Sequence, residues 1–102
     1  MHTYQPPLED FNFILHHFLK IEKEDISGYK DLLPEFTKTV FEEAGKLASE
    51  VISPSNKDGD EQGCKLENGI VRTPHSFKLA FDKLRDGGWL SLDIEEEFGG
   101  QN

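Results

Sequence analysis

The chain reads as mainly α: a small helical domain of three main helices, with one short β-hairpin between the second and third. Three observations predict this. Two long stretches each confine their apolar residues to about 160° of arc at helical spacing. Thr73-Pro74 carries the punctuation of a third helix start. Between the second and third helices, Asn68-Gly69 separates Cys64-Lys65-Leu66-Glu67 from Ile70-Val71-Arg72, the strongest two-residue hairpin signal.

The first helix follows Pro6-Pro7, which disfavours helix before Leu8. Leu8, Phe11, Ile14, Leu15, Phe18, Leu19 and Ile21 form its stripe, Phe13 lies off it, and adjacent His16 and His17 flank it. Residues 22–28 lose periodicity and read as a loop. Pro34 suits the first turn of the second helix, where its missing N–H is harmless. Phe36, Val40, Phe41, Ala44, Leu47, Ala48, Val51 and Ile52 fill one face, with Glu42 and Lys46 expected to pair outside. Pro54 is expected to end this helix and open a polar loop over 53–65. In the third helix Phe77, Ala80, Phe81 and Leu84 share a face and Leu79 points away. Gly87-Gly88 stops it.

With 102 residues, the chain is expected to bury about 60–65% of its unfolded surface. Only 35% of residues are hydrophobic and mean hydropathy is −0.59, so the core is modest and eight Phe supply much of its volume. A net charge of −9, with eleven basic residues scattered among twenty acids, argues against nucleic-acid binding. The single Cys64 excludes an internal disulfide framework and suits a reducing compartment. No apolar run reaches the length of a membrane span, and the first seven residues lack a leader's basic region, so a cytoplasmic location is expected.

Sites of chemistry are sparse. Asp58-x-Asp60-x-Gln62-Gly63 matches half a calcium loop, but the position needing a bidentate Glu holds Gly69. His16, His17, Cys64 and His75 lack metal-ligand spacing, and adjacent helical histidines diverge. A Cys64–His pair has no orienting third group. Gly99-Gly100 is not a phosphate loop and serves backbone geometry. Glu95-Glu96-Glu97 reads as a solvated turn. No catalytic, cofactor-binding or metal residue is assigned. Phe13 and Leu79, each off its stripe, suit either ordinary exposure or a second surface facing an absent domain or partner.

Several runs of the chain, taken together, resemble one family. Tyr4-x-Pro6-Pro7-Leu8-x-Asp10-x-x-Phe13-x-Leu15 opens the resemblance, and Glu42-Glu43-Ala44-Gly45-Lys46-Leu47-Ala48-x-Glu50-Val51-Ile52-x-Pro54-x-Asn56 continues it. Gly59-Asp60-Glu61-x-Gly63-Cys64, Thr73-Pro74-x-x-Phe77-Lys78, Gly87-Gly88-Trp89 and Glu97-Phe98-Gly99-Gly100-Gln101 complete it in order. These resemble the N-terminal helical domain of acyl-CoA dehydrogenases, closest to the bacterial branch that includes the 3-methylmercaptopropionyl-CoA dehydrogenases. Two departures stand out: Glu95-Glu96 replaces the usual Pro before the Glu-aromatic-Gly-Gly run, and Asn102 stands where the family continues with Gly.

The resemblance implies that residues 1–102 form that domain, with 1–30 a branch-specific helix and loop and 31–102 its core. It implies a fragment, inactive alone, of an enzyme that uses FAD to desaturate an acyl-CoA at the α,β bond, with an electron-transfer flavoprotein usually reoxidising the flavin. The family's base and most flavin contacts lie in its β-domain and C-terminal helical bundle, so FAD belongs to the complete enzyme and no cofactor to this chain. The implied partner is the remainder of the dehydrogenase, or its subunits, with neither nucleic acid nor membrane. The rival expectations are a free-standing acidic helical interaction protein docking through Phe13, Leu79 and the Trp89 region, and an acidic calcium-binding module.

Overall fold

A computed structural model of the chain describes residues 4–101; the leader reading of residues 1–3 and the departure at Asn102 lie outside them. The architecture is 65% helical, with three helical stretches and a two-stranded antiparallel hairpin between the second and third. Contacts divide the chain into two compact units, Met1–Ser49 and Glu50–Asn102.

In the first unit, α1 spans Leu8–Asn12 and runs into a π-helical turn over Phe13–Phe18, closed by Leu19 N–H on the Ile14 carbonyl at 2.8 Å. Lys20 then adopts a left-handed conformation, φ 53°, which ends the helix before Ile21. The sequence predicted a regular helix through Ile21; the π turn is the correction. One extra residue in a turn advances the following side chains by about 100°. The inward row therefore passes from Leu8 through Asn12 to His16, which is buried, while Ile14 and Phe18 on the predicted stripe are exposed. Short 3₁₀ turns, Ile21–Lys23 and Tyr29–Asp31, lead to α2, Pro34–Leu47. α1 packs on α2 beside Gly45, where an added Cβ would lie 2.6 Å from Pro6 Cγ.

The predicted stop at Pro54 is also corrected. A π turn, Ala48–Ile52, follows α2, and α3 spans Ser53–Gln62 with Pro54 in its first turn. Proline lacks the N–H that a continuing α-helix would require, and widening the preceding turn accommodates that loss. Serine hydroxyls supply donors here: Ser49 Oγ bonds the Gly45 carbonyl at 2.8 Å and Ser55 Oγ the Ile52 carbonyl at 2.6 Å. Most of the predicted loop over 53–65 is therefore helix, and Asp58 and Asp60 of the half calcium motif lie on it.

The hairpin forms as predicted, β1 Lys65–Glu67 against β2 Ile70–Arg72, with Asn68 and Gly69 both at positive φ. The third helix, α4, spans His75–Asp86. Thr73 makes no side-chain cap, and buried Pro74 takes the flanking position instead, its carbonyl accepting the Phe77 N–H at 3.0 Å. α3 packs on α4 at Gly59, where a Cβ would meet Phe77 Cζ at 2.7 Å. After Gly87-Gly88, two 3₁₀ turns, Trp89–Ser91 and Glu96–Phe98, fold the terminal segment back on itself. Gln101 N–H bonds the Ser91 carbonyl at 3.1 Å, and a Cβ on Gly100 would collide with the Ile94 carbonyl.

Burial is slight. Among the described residues Ala80 and Pro74 are the buried apolar side chains. Phe36 and Phe81, predicted for the core, are 56% and 52% exposed, and Phe13 and Leu79 are exposed as their off-stripe positions predicted.

Candidate functional site

The first unit concentrates the polar structure. The π turn points His16 at α2, where its Nε2 lies 2.7 Å from Thr37 Oγ1, and its Nδ1 lies 3.1 Å from Glu22 Oε2 in the following 3₁₀ turn. The His16 and Thr37 side chains are buried, and Glu22 is part-exposed. Thr37 Oγ1 also faces the carbonyls of Pro34 and Leu33 at 3.3 and 3.4 Å. A backbone N–H at Glu22 and the His16 hydrogen bond hold the Glu22 carboxyl below its ordinary value of 4.5.

An ionised Glu22 only accepts, so the proton facing it must sit on Nδ1. Two arrangements satisfy the remainder. With a neutral ring, the Thr37 hydroxyl donates to Nε2. With a charged ring, Nε2–H donates to Oγ1 and the hydroxyl turns to the Pro34 carbonyl.

Hydroxyl, imidazole and carboxylate in this order have the connectivity of an activated nucleophile. The surroundings assign another role. Thr37 is buried, and its hydroxyl is turned toward its own helix's carbonyls. What the cluster does is fasten the first helix and the following turn to α2.

Beside it, α1 and α2 enclose an open groove of about 530 Å³, lined by Leu8, Glu9, Asn12, Pro34, Glu35, Thr37, Lys38, Phe41 and Glu42. Its apolar floor is Leu8, Pro34 and Phe41, the last packed on Phe11 with ring centroids 5.5 Å apart. Three carboxylates rim it. Among the described lining residues the one cation, Lys38, reaches Glu42 at 3.9 Å, a pairing made in place of the predicted Glu42–Lys46 one.

The sequence-level candidates scatter. His16 belongs to the fastening cluster, His17 stacks on Phe13 at 5.9 Å, Cys64 is exposed, and His75 opens α4. Among the described residues no group of three or more His, Cys, Asp or Glu is placed to hold a metal ion. Sequence reasoning missed Glu22 and Thr37. The available signal was the His16-His17 pair itself, since at most one of two neighbours can face inward.

In the second unit, Asp82 accepts from Lys78 at 2.8 Å and lies 3.3 Å from Arg85; the Lys78 hydrogen bond is the main cause of a carboxyl held below its ordinary value of 3.8. No helix among the described residues is long and apolar enough to cross a membrane.

Comparison with known proteins gives one clear relationship. The chain is 35% identical over 99 residues, 96% of its length, to the 3-methylmercaptopropionyl-CoA dehydrogenase of Ruegeria pomeroyi. The match spans 17% of that protein's length. No protein-family model matches the chain.

Proposed function

We propose that the chain, 35% identical over 96% of its length to an acyl-CoA dehydrogenase, is the N-terminal helical wall of an FAD-dependent enzyme of that family, inactive alone. Residues 1–30 supply a branch-specific helix and loop and residues 31–102 the body of this domain. The complete enzyme desaturates an acyl-CoA at the α,β bond, and the partner of this chain is the remainder of the dehydrogenase. The carrying observation is the in-order match along 96% of the chain to an enzyme almost six times longer. Exposed Phe36, Leu79, Phe81 and Phe98 support it, because separate apolar side chains on both units await cover.

FAD does not fit the residues in hand. Its pyrophosphate needs cationic groups or converging backbone N–H groups, and the groove here is rimmed by Glu9, Glu35 and Glu42. The flavin and the base that removes the α-proton are therefore assigned to the remainder of the enzyme, and this chain contributes shape and exclusion of water.

The test is direct. Purified at micromolar concentration, the chain should be colourless and show no acyl-CoA-dependent dye reduction. A yellow preparation, or thioester oxidation by this polypeptide alone, overturns the reading. A second reading, a free-standing interaction protein, draws on the exposure of Phe13, Leu79 and Leu90 near Trp89. A stable complex with a protein lacking any dehydrogenase sequence would favour it.

A further inference from the structure

We propose that the groove between α1 and α2 docks a cationic polypeptide segment, one that presents Lys or Arg beside an apolar residue. The inference stands on the groove alone and does not depend on the enzyme reading. Phe41, Leu8 and Pro34 make a floor that accepts an aliphatic side chain or the stem of a long basic one. Glu9, Glu35 and Glu42 rim that floor, and Lys38, the single opposing charge among the described lining residues, already faces Glu42.

Glu35 and Glu42 are seven residues apart on α2, which places them on one face about 10.5 Å apart along the axis. A partner helix with basic residues seven positions apart matches that spacing. Carboxylates in a helix's first turn suit its dipole, which accounts for Glu9 and Glu35. It accounts neither for Glu42 nor for the apolar floor between them. The net charge of −9 adds attraction for a basic partner at long range.

The experiment titrates the ¹⁵N-labelled full chain with an amphipathic peptide of Leu-Lys-Lys-Leu repeats, followed by amide chemical shifts. Two triple variants, E9Q/E35Q/E42Q and E95Q/E96Q/E97Q, each remove three charges from the same net −9. Shifts should centre on Leu8–Asn12 and Pro34–Glu42, with Kd roughly 10–100 μM at low salt. The groove variant should bind at least about tenfold more weakly, while the control stays within about twofold because the net charge is matched.

Equal weakening in both variants, or shifts centred on Glu95–Glu97, means adsorption by the overall field and overturns the proposal. Nα-acetyl-lysine amide binding as tightly as the peptide would also overturn it, because the occupant would then be a small cation. Should the triple groove variant lose its helical circular dichroism, Glu35→Gln alone serves, with loss of the Glu35-centred shifts as the readout.

Discussion

Where α1 meets α2, the contact turns on polar atoms: His16 reaches Thr37 on one side and Glu22 on the other, and burial seals the ring between them. Where α3 meets α4, it turns on the absence of atoms: Gly59 leaves room for the Phe77 ring, and small Ala80 is buried. The difference matters because the two contacts fail differently. Hydrogen bonds tolerate small displacements but not the loss of a partner, which leaves a buried group unsatisfied. A close approach is limited by volume, so it fails when an atom is added.

The largest expected effect tests the polar contact. His16→Ala strands Thr37 and leaves a cavity, costing about 3 kcal/mol. Amide exchange should rise through α1 and α2 while α3 and α4 keep their protection. Equal loss across α4 would show one cooperative body and end the contrast. Thr37→Val, which leaves Nε2 without its oxygen, should cost about 1–2 kcal/mol in the same residues.

The steric contact comes next. Gly59→Val should cost about 1–2 kcal/mol through overpacking against Phe77. Gly59→Ala should be near neutral, its smaller clash offset by a helix-propensity gain of about 1 kcal/mol. Denaturant midpoints for the two variants decide this, and an Ala variant as damaged as Val would mean that Phe77 cannot swing aside.

Which of these contacts was legible in the sequence follows from their range. The hairpin was read correctly because Asn68-Gly69 carries its own left-handed preference, needing nothing from elsewhere. α4 was read nearly to its ends for a related reason, since Pro74 and Gly87-Gly88 punctuate it locally. The π turns at Phe13–Phe18 and Ala48–Ile52 were invisible, because each is a tertiary compromise, one aiming His16 at Thr37 and the other accommodating Pro54. Burial was misjudged for the same cause. Apolar periodicity says that Phe36 and Phe81 need cover but not whether this chain supplies it. Glu22 and Thr37 are separated in sequence from their partner by six and twenty-one residues, and no spacing rule connects them.

A pH titration sharpens the comparison further. A carboxyl held low by native contacts stabilises the fold above its unfolded pKa, and that stabilisation disappears as pH falls through the folded value. For Glu22 the loss begins below pH 4.5 and acts on the first unit; for Asp82 it begins below 3.8 and acts on α4. Denaturant unfolding from neutral to acid pH should therefore weaken protection around Glu22 before α4. Glu22→Gln should flatten the first part of that slope and leave the second, and an unchanged profile would remove Glu22 from the account.

The smallest expected effect is the most informative about the groove. Lys38 and Glu42 are 3.9 Å apart and both well exposed, the geometry of a surface pair one turn apart on a helix. Such pairs contribute about 0.3–0.5 kcal/mol, so Lys38→Ala should move the thermal midpoint by no more than about 4 °C. The same substitution removes the only cation that lines the groove among the described residues. If the groove receives a basic segment, Lys38→Ala should tighten binding of the Leu-Lys-Lys-Leu peptide while scarcely touching stability. A stability loss above about 1 kcal/mol would mean that Lys38 holds α2 in place, making the rim part of the scaffold. A weaker fold marks a charge kept for architecture, and stronger docking with the fold unchanged marks one that guards an entrance.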